Sequence, residues 1–456
     1  ANLGTGTTYD NCKWFYIHRD NDEKYIGCIK PKPNSGYGDI DIWNATTGVV
    51  CTVTYDAVSW VGNTAYVVGN RVKNSNKIYE AIVAGTSSSG SPPTSTASSI
   101  SDGATLIWKY IGTTGSQNYL TGTRTNYDIL TVQDTSIITN NLHTVTALDA
   151  PNYKTKATAA LVLSGPPVGK YNVTIGDLDG TNTSSITEYD SPATATYDEL
   201  LTELRSRING LNISNLVVTK YDDALHLERN SGATEFKITA SGGVGNDRLY
   251  VVQDIVDNAS QLPFNSVHDR TVKVVNTDSL YDTYWAKFVA EDGVSGRGYW
   301  AETVDPTIST GLTDTTMPHE LVNTDINQFL FRKIAWTARK VGDDITNPQP
   351  SFVGAKIQQS FFHNSRLGLL SKDNVALSQS QDFYNFYAIS AQTQTDSDPV
   401  DLSCSAIRPA ALHGVIPTTQ GLVLFSKNQQ FLMGSGNGIL TPSTTTIRTI
   451  SNYEMD

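Results

Sequence analysis

Residues 14–30 read WFYIHRDNDEKYIGCIK, an apolar run, a polar stretch and a second apolar run, which is the pattern of strand, turn and strand. Residues 39–53 (DIDIWNATTGVVCTV) repeat it. Ile40 and Ile42, then Val49, Val50 and Val53, supply short β-type apolar groups, and 44–48 supplies the turn. Residues 128–139 (DILTVQDTSIIT) are a third such unit. Hairpins repeated in this way predict an antiparallel β body, built from 1–55, 114–155 and 256–310.

Two changes of texture interrupt that body. Between 56 and 113, Trp60, Tyr66, Tyr79, Trp108 and Tyr110 crowd together, punctuated by Gly62, Gly69, Gly85, Gly103 and Gly112, with a Gly/Ser/Pro/Thr loop at 86–99. This predicts a small inserted β module. From 156 to 255 the pattern is α+β. Strands are expected at 157–163, 170–175, 216–220, 224–228 and 235–239. A helix is expected at 197–208, where Leu200, Leu201, Leu204 and Ile208 share one face and Thr196 with Glu199 forms a capping box. The body resumes with strands at 270–275, 283–288 and 298–303. From 311 to 456, short strands and turns follow one another as in a propeller or large sandwich. The fold class expected is mainly β with a minor α+β insert, the C-terminal third forming propeller-like β blades.

Composition agrees. The 456 residues exceed what one core usually supports, so about two to four domains are expected. Hydrophobic residues at 39% and aromatic residues at 9% exclude a disordered chain, while scarce helix formers (3 Met, 33 Lys plus Arg) favour strands. A net charge of −12 argues against general affinity for nucleic acid. No apolar run reaches the roughly 18 residues that span a bilayer, and the opening residues do not read as a signal peptide. The Ala1 start and the ending SNYEMD lead us to expect that both ends are trimmed.

Chemistry finds little foothold. Cys12, Cys28, Cys51 and Cys404 form no C-x-x-C pair, and free buried thiols are favoured over a disulfide among the first three. The histidines (His18, His143, His226, His268, His319, His363, His413) stand singly, so surface or satisfied core positions are expected. Residues 177–182 (DLDGTN) open like a calcium loop, with Glu188 at the twelfth position, but Asn182 stands where the sharp turn wants Gly; a β-turn is the favoured reading. Residues 242–246 (GGVGN) lack the Lys-Ser/Thr of a P-loop and are read as a hairpin tip. No enzyme activity, metal or cofactor is expected. The aromatic set Trp60, Tyr66, Tyr79, Trp108 and Tyr110 is the one site-like constellation. Such rings can stack on sugars, but in a module of about sixty residues they are first of all its core.

The most specific strings lie after Glu302: MPHELV (317–322), WTARKVGDD (336–344), NPQPSF (347–352), SRLGLLS (365–371), NVALS (374–378) and DFYNF (382–386). In them Leu367–Leu370 reads as a buried strand, 342–344 as a turn, and Phe383, Tyr384 and Phe386 as packing anchors. This series resembles the tail nozzle (tail tubular protein B) family of short-tailed, T-seven-like phages. The family tends to have Asn at Ser365 and Gly at Gln381. Residues 14–20, 25–29, 130–140, 262–263, 272–275, 282–288 and 300–302 extend the likeness to roughly 300 residues. Separately, Trp60-Val61-Gly62, YVVGNRV (66–72), Tyr79-Glu80-Ala81, Asp102-Gly103 and Trp108-Lys109-Tyr110 are similar to small chitin- or carbohydrate-binding modules.

The nozzle resemblance implies a structural virion protein in a homohexameric ring, in contact with the tail adaptor (gatekeeper) ring and with tail fibre proteins. Genomic DNA would traverse the lumen without sequence-specific binding, and an acidic wall suits such a conduit. Both inserts would lie on the outside. A glycan-binding tail adhesin, with a host-surface glycan on the aromatic module, is the alternative; a depolymerase is a third reading, and no carboxylate pair stands out for it.

Overall fold

The computed structural model describes residues 9–31, 38–55, 58–68, 70–75, 77–113, 116–151, 157–179, 182–229, 235–245, 247–276, 283–404, 410–436 and 439–454. Gly69, the tip of the calcium-like loop at 180–181, Asn246 and both chain ends lie outside the described residues. The protein is mainly β, its sheets are largely antiparallel, and one α-helix occurs among the described residues.

Lys13–His18, Lys24–Lys30 and Asp39–Asn44 form a three-stranded meander in which Phe15 faces Gly27 and Tyr25 faces Asn44. The polar turn is set by Asp20, whose Oδ1 accepts from the backbone N–H of Asp22 (2.8 Å) and Glu23 (2.6 Å). At 44–48 the Asn44 side chain plays the same part for Thr46 and Thr47. After the turn, Val49 and Val50 return alongside the first arm, the Asn44 N–H donating to the Val49 carbonyl (2.9 Å) and Val50 bridging to Trp43. The next strand is Thr52–Tyr55, and these two valines precede it, 49% and 67% exposed.

Thr52–Tyr55 is the outermost strand of a five-stranded sheet assembled from distant segments. Its order is Tyr127–Val132, Thr135–Asn140, His319–Asp325, Gln328–Lys333 and Thr52–Tyr55, the last pair parallel. Tyr55 lies opposite Phe331, and Ser116 donates from Oγ to the Phe331 carbonyl (3.4 Å). The chain therefore leaves for the aromatic module and returns from it at one point of this sheet. Ile17, Tyr25, Ile29 and Ile42 of the meander pack with Tyr119, Tyr127, Ile138, Leu321, Phe329 and Phe331 as one core.

The aromatic module has its own five-stranded sheet, ordered Ile100–Asp102, Leu106–Thr113, Lys77–Val83, Arg71–Asn74 and Val58–Ser59. In the α+β segment the helix spans Tyr197–Gly210. Thr196 Oγ1 accepts from the Glu199 N–H (3.2 Å), and the Glu199 carboxylate accepts from the Thr196 N–H (2.8 Å). Leu200, Leu201, Leu204 and Ile208 fill the core against Ala157, Ala159 and Leu161 of strand Ala157–Leu163. That strand uses both faces. Ala160 and Val162 turn the other way and pack on Val272, Val274 and Ala286 of the sheet that contains Thr271–Val274 and Tyr284–Ala290.

Two four-stranded antiparallel meanders end the chain, one running from Gln359 to Ser403 and one from Leu412 to Ser451. They share a core of Leu370, Leu377, Val400, Leu412, Leu424, Phe431 and Met433. The described strands close no propeller.

Candidate functional site

The five aromatic residues of the module do come together in one cluster, and its two tryptophans are tied to a carboxylate. Asp102 Oδ2 accepts from the indole N–H of both Trp60 and Trp108, each at 2.8 Å, and its Oδ1 accepts from Ser88 N–H at 2.7 Å. Burial pushes the Asp102 pKa up, but these hydrogen bonds outweigh it and hold the carboxyl below its ordinary value. Tyr66 packs edge-on against Trp108 at 5.0 Å, and Tyr79 against Tyr110 at 5.9 Å. Trp108, Tyr79 and Tyr66 are buried, so they have no free ring face. Trp60 and Tyr110 are partly exposed.

A second aromatic constellation was not singled out from sequence. On the outer face of the N-terminal meander the register aligns Tyr16 with Ile26, Ile26 with Trp43, and Trp43 with Val50. Trp14 stacks on Trp43 at 5.9 Å, and Tyr9 contacts both at 5.8 and 5.9 Å. Trp14 is 41% and Tyr16 50% exposed. The opposite face of the same sheet is already core. Antiparallel sheets that meet water on one side usually alternate apolar and polar residues, so an apolar row on the open side is unusual. The signal was present in the sequence as W-x-Y at 14–16 and Trp43, hidden because alternation alone does not say which face is covered.

The strings after Glu302 form a connected structural device. His319 lies in a ring stack, 4.1 Å from Tyr119 and 5.5 Å from Phe331, with Nδ1–H donating to the Met317 carbonyl (2.9 Å). Burial lowers its pKa to about 3. Glu320 accepts from Arg332 Nε (2.7 Å) and Tyr384 OH (2.6 Å). Trp336, Phe352 and Phe386 pack ring to ring. Phe383, expected as an anchor for blade or subunit packing, lies at the surface against Phe362. Arg339, fully buried at its side chain, donates to Asp344 Oδ1 (2.9 Å) and to the carbonyls of Asn347 (2.7 Å) and Ser309 (2.5 Å). Arg366 donates to the carbonyls of Ser378, Asp396 and Asp398 at 2.7–2.8 Å. Both guanidiniums hold loops by their backbones, a task suited to a planar five-donor group.

Elsewhere, Asp177 accepts from Asn182 Nδ2 (2.8 Å) and Arg229 Nη1 (3.3 Å), while Glu188 lies beside Asn172 and Lys170 toward the other end of the ladder. The two carboxylates thus do not converge as a calcium loop requires. All four cysteines are buried free thiols; burial pushes Cys51 to about 11 and Cys404 to about 12.

Comparison with known proteins adds the decisive observation. The family model described as bacteriophage nozzle protein matches residues 106–456. The chain belongs to this family. Tail tubular protein gp12 of Escherichia phage T7 is 29% identical over 294 residues, which are 64% of this chain and 35% of that protein. The chain thus matches about a third of the length of that curated relative. Membership of the nozzle family makes it a structural protein of the virion tail. The match starts at the first residue of the module's strand Leu106–Thr113, and it includes every string after Glu302 quoted above.

Proposed function

We propose that the chain is a non-enzymatic subunit of a homohexameric nozzle ring, joined to the adaptor ring and tail fibres, through which the genome leaves. The observation that carries this reading is the open apolar row of Tyr16, Ile26, Trp43 and Val50 with Trp14. We assign it to the contact with a neighbouring copy. A ring closes by pairing two different surfaces of one subunit, and exposed Trp and Tyr are the residues that anchor such contacts. The structural role is supported by Asp102, Arg339 and Arg366, whose charges are spent on the protein's own side chains and backbone. The net charge of −12 suits passage of DNA without adhesion.

In the same reading, 1–55, 114–155 and 256–310 form the body, 56–113 and 156–255 are inserts on the outside, and the paired meanders within 311–456 are blades of a propeller-like region. Electron microscopy of the purified chain tests the ring, with sixfold rings expected. A Trp14→Ser/Tyr16→Ser double variant should keep its unfolding midpoint and lose the rings. Rings that survive that change would remove the assigned contact, and strictly monomeric wild-type chain at high concentration would count against self-assembly. A glycan-binding role for the aromatic module would rest on Trp60 and Tyr110 alone, and loss of glycan-array binding in Trp60→Ala would support it.

A further inference from the structure

Where the two C-terminal meanders meet the loop after Thr135–Asn140, a cavity of about 530 Å³ opens, lined by Lys356, Gln358, Lys372, Ala411, Leu412 and His413. Backbone contacts hold its walls together. The Ser371 hydroxyl donates to the Lys356 carbonyl (2.9 Å), the Leu412 N–H donates to the Lys372 carbonyl (2.5 Å), and Lys356 bridges to Thr144. No carboxylate is among the described lining residues, although the chain has 45 acidic residues against 33 basic ones. Neither lysine makes a salt bridge among the described residues. Asp373, next to Lys372, accepts from the Ser403 hydroxyl instead (3.2 Å). Residues 405–409 (SAIRP), which precede Ala410 and lie outside the described residues, contain Arg408 and no acid.

Lys372 is also held in an unusual place. Ser371 pairs with Asn374 across a tight turn, and Lys372 takes φ +51 there. That left-handed position favours Asn or Gly, so the turn itself does not call for a lysine. Two like charges at one cavity repel each other, and an anion between them relieves both. Lysine ammonium groups suit phosphate as point charges, and a neutral imidazole at His413 still offers one N–H donor. Ala411, Leu412 and the lysine stems supply apolar surface beside these groups. The volume lies within the range of small-molecule sites, about 300–1,000 Å³, and leaves room for more than a bare anion. We propose that this cavity binds a phosphate ester, with Lys356 and Lys372 as its counter-charges and His413 as a donor. The site shares no residue with the apolar row or the aromatic module, and it does not rest on ring assembly.

The test uses the full chain at low ionic strength, where charge contacts are least screened, and titration calorimetry with adenosine monophosphate, a short DNA duplex and acetate. At least one phosphate ester should saturate, with Kd of about 1 mM or tighter, and acetate should bind about tenfold more weakly. The Lys356→Gln/Lys372→Gln double variant should weaken ester binding about tenfold. Lys372→Asn suits the turn, so it should keep or raise the thermal midpoint and still weaken binding. Arg297→Gln removes an exposed cation on another sheet and should change nothing. Saturation by the monophosphate alone assigns the site to a small ester; saturation by the duplex, lost in the double variant, assigns it to a nucleic-acid backbone. The proposal is overturned if neither ester saturates, if acetate matches them, or if the lysine variants bind as wild type does. Equal weakening by Arg297→Gln would also overturn it, by reducing the effect to overall charge.

Discussion

Asp102 shows how one side chain can change the meaning of its neighbours. Two tryptophans that sequence offers as a sugar platform point their N–H groups at its carboxylate. Asp102→Ala leaves both donors without an acceptor and should lower stability by about 3 kcal/mol, seen as a lower urea midpoint followed by tryptophan fluorescence. His319 gives the pH counterpart. Unfolded, it takes up a proton near its ordinary value of 6.5; folded, burial keeps it neutral down to about 3. Between those values the unfolded state binds more protons, so stability falls as pH falls through that window. The slope from this group approaches about 1.4 kcal/mol per pH unit. His319→Phe should therefore flatten the dependence of unfolding free energy between pH 6 and pH 4. An unchanged slope would show that other groups carry the acid sensitivity.

Among the elements, two hairpins share a device. Phe15 faces Gly27 in one and Phe361 faces Gly368 in the other, and in each the ring lies over the bare glycine. A Cβ on Gly368 would come within 2.1 Å of the Phe361 ring, and one on Gly27 within 2.2 Å of Phe15. Aromatic cover of a cross-strand glycine fixes register while filling the space the missing side chain leaves. Gly368→Ala should cost about 1–3 kcal/mol by overpacking. Adding Phe361→Leu should recover part of the loss in a thermal melt; a double variant less stable than the single one would contradict this account. The SRLGLLS string is thus explained by local steric demand together with the loop-holding role of Arg366.

For the whole molecule, the decisive feature is that Tyr55 and Ser116 both meet Phe331. An insert whose ends are adjacent can be removed at small cost in loop entropy. Replacing 56–113 by a short Gly/Ser linker should leave the cooperative unfolding of the body within a few degrees of wild type by calorimetry. Collapse of the body on excision would mean that the module supports it. The segment around strand Ala157–Leu163 is different, because its sheet shares a core with Val272, Val274 and Ala286. Its removal would strip that sheet of its cover.

The sequence alone determined what depends on local pattern. The hairpins at 14–30 and 128–139, the capped helix after Thr196 and the eight strands expected between 157 and 303 follow from periodicity and turn chemistry, since these act over a few residues; Ser184–Ser191 and Leu249–Val252 are seen only in the structure. The family was legible for a related reason: strings such as WTARKVGDD and SRLGLLS carry side chains with fixed jobs, Arg339 and Arg366 above all. Only the tertiary structure decided which faces are covered. It turned Trp108 and Tyr79 into core and left Trp14 and Tyr16 open. It joined Thr52–Tyr55 to a strand some 275 residues further along. The reason is physical: alternation tells that a strand has two faces, but burial depends on what comes to lie against each, and those partners are distant in the chain.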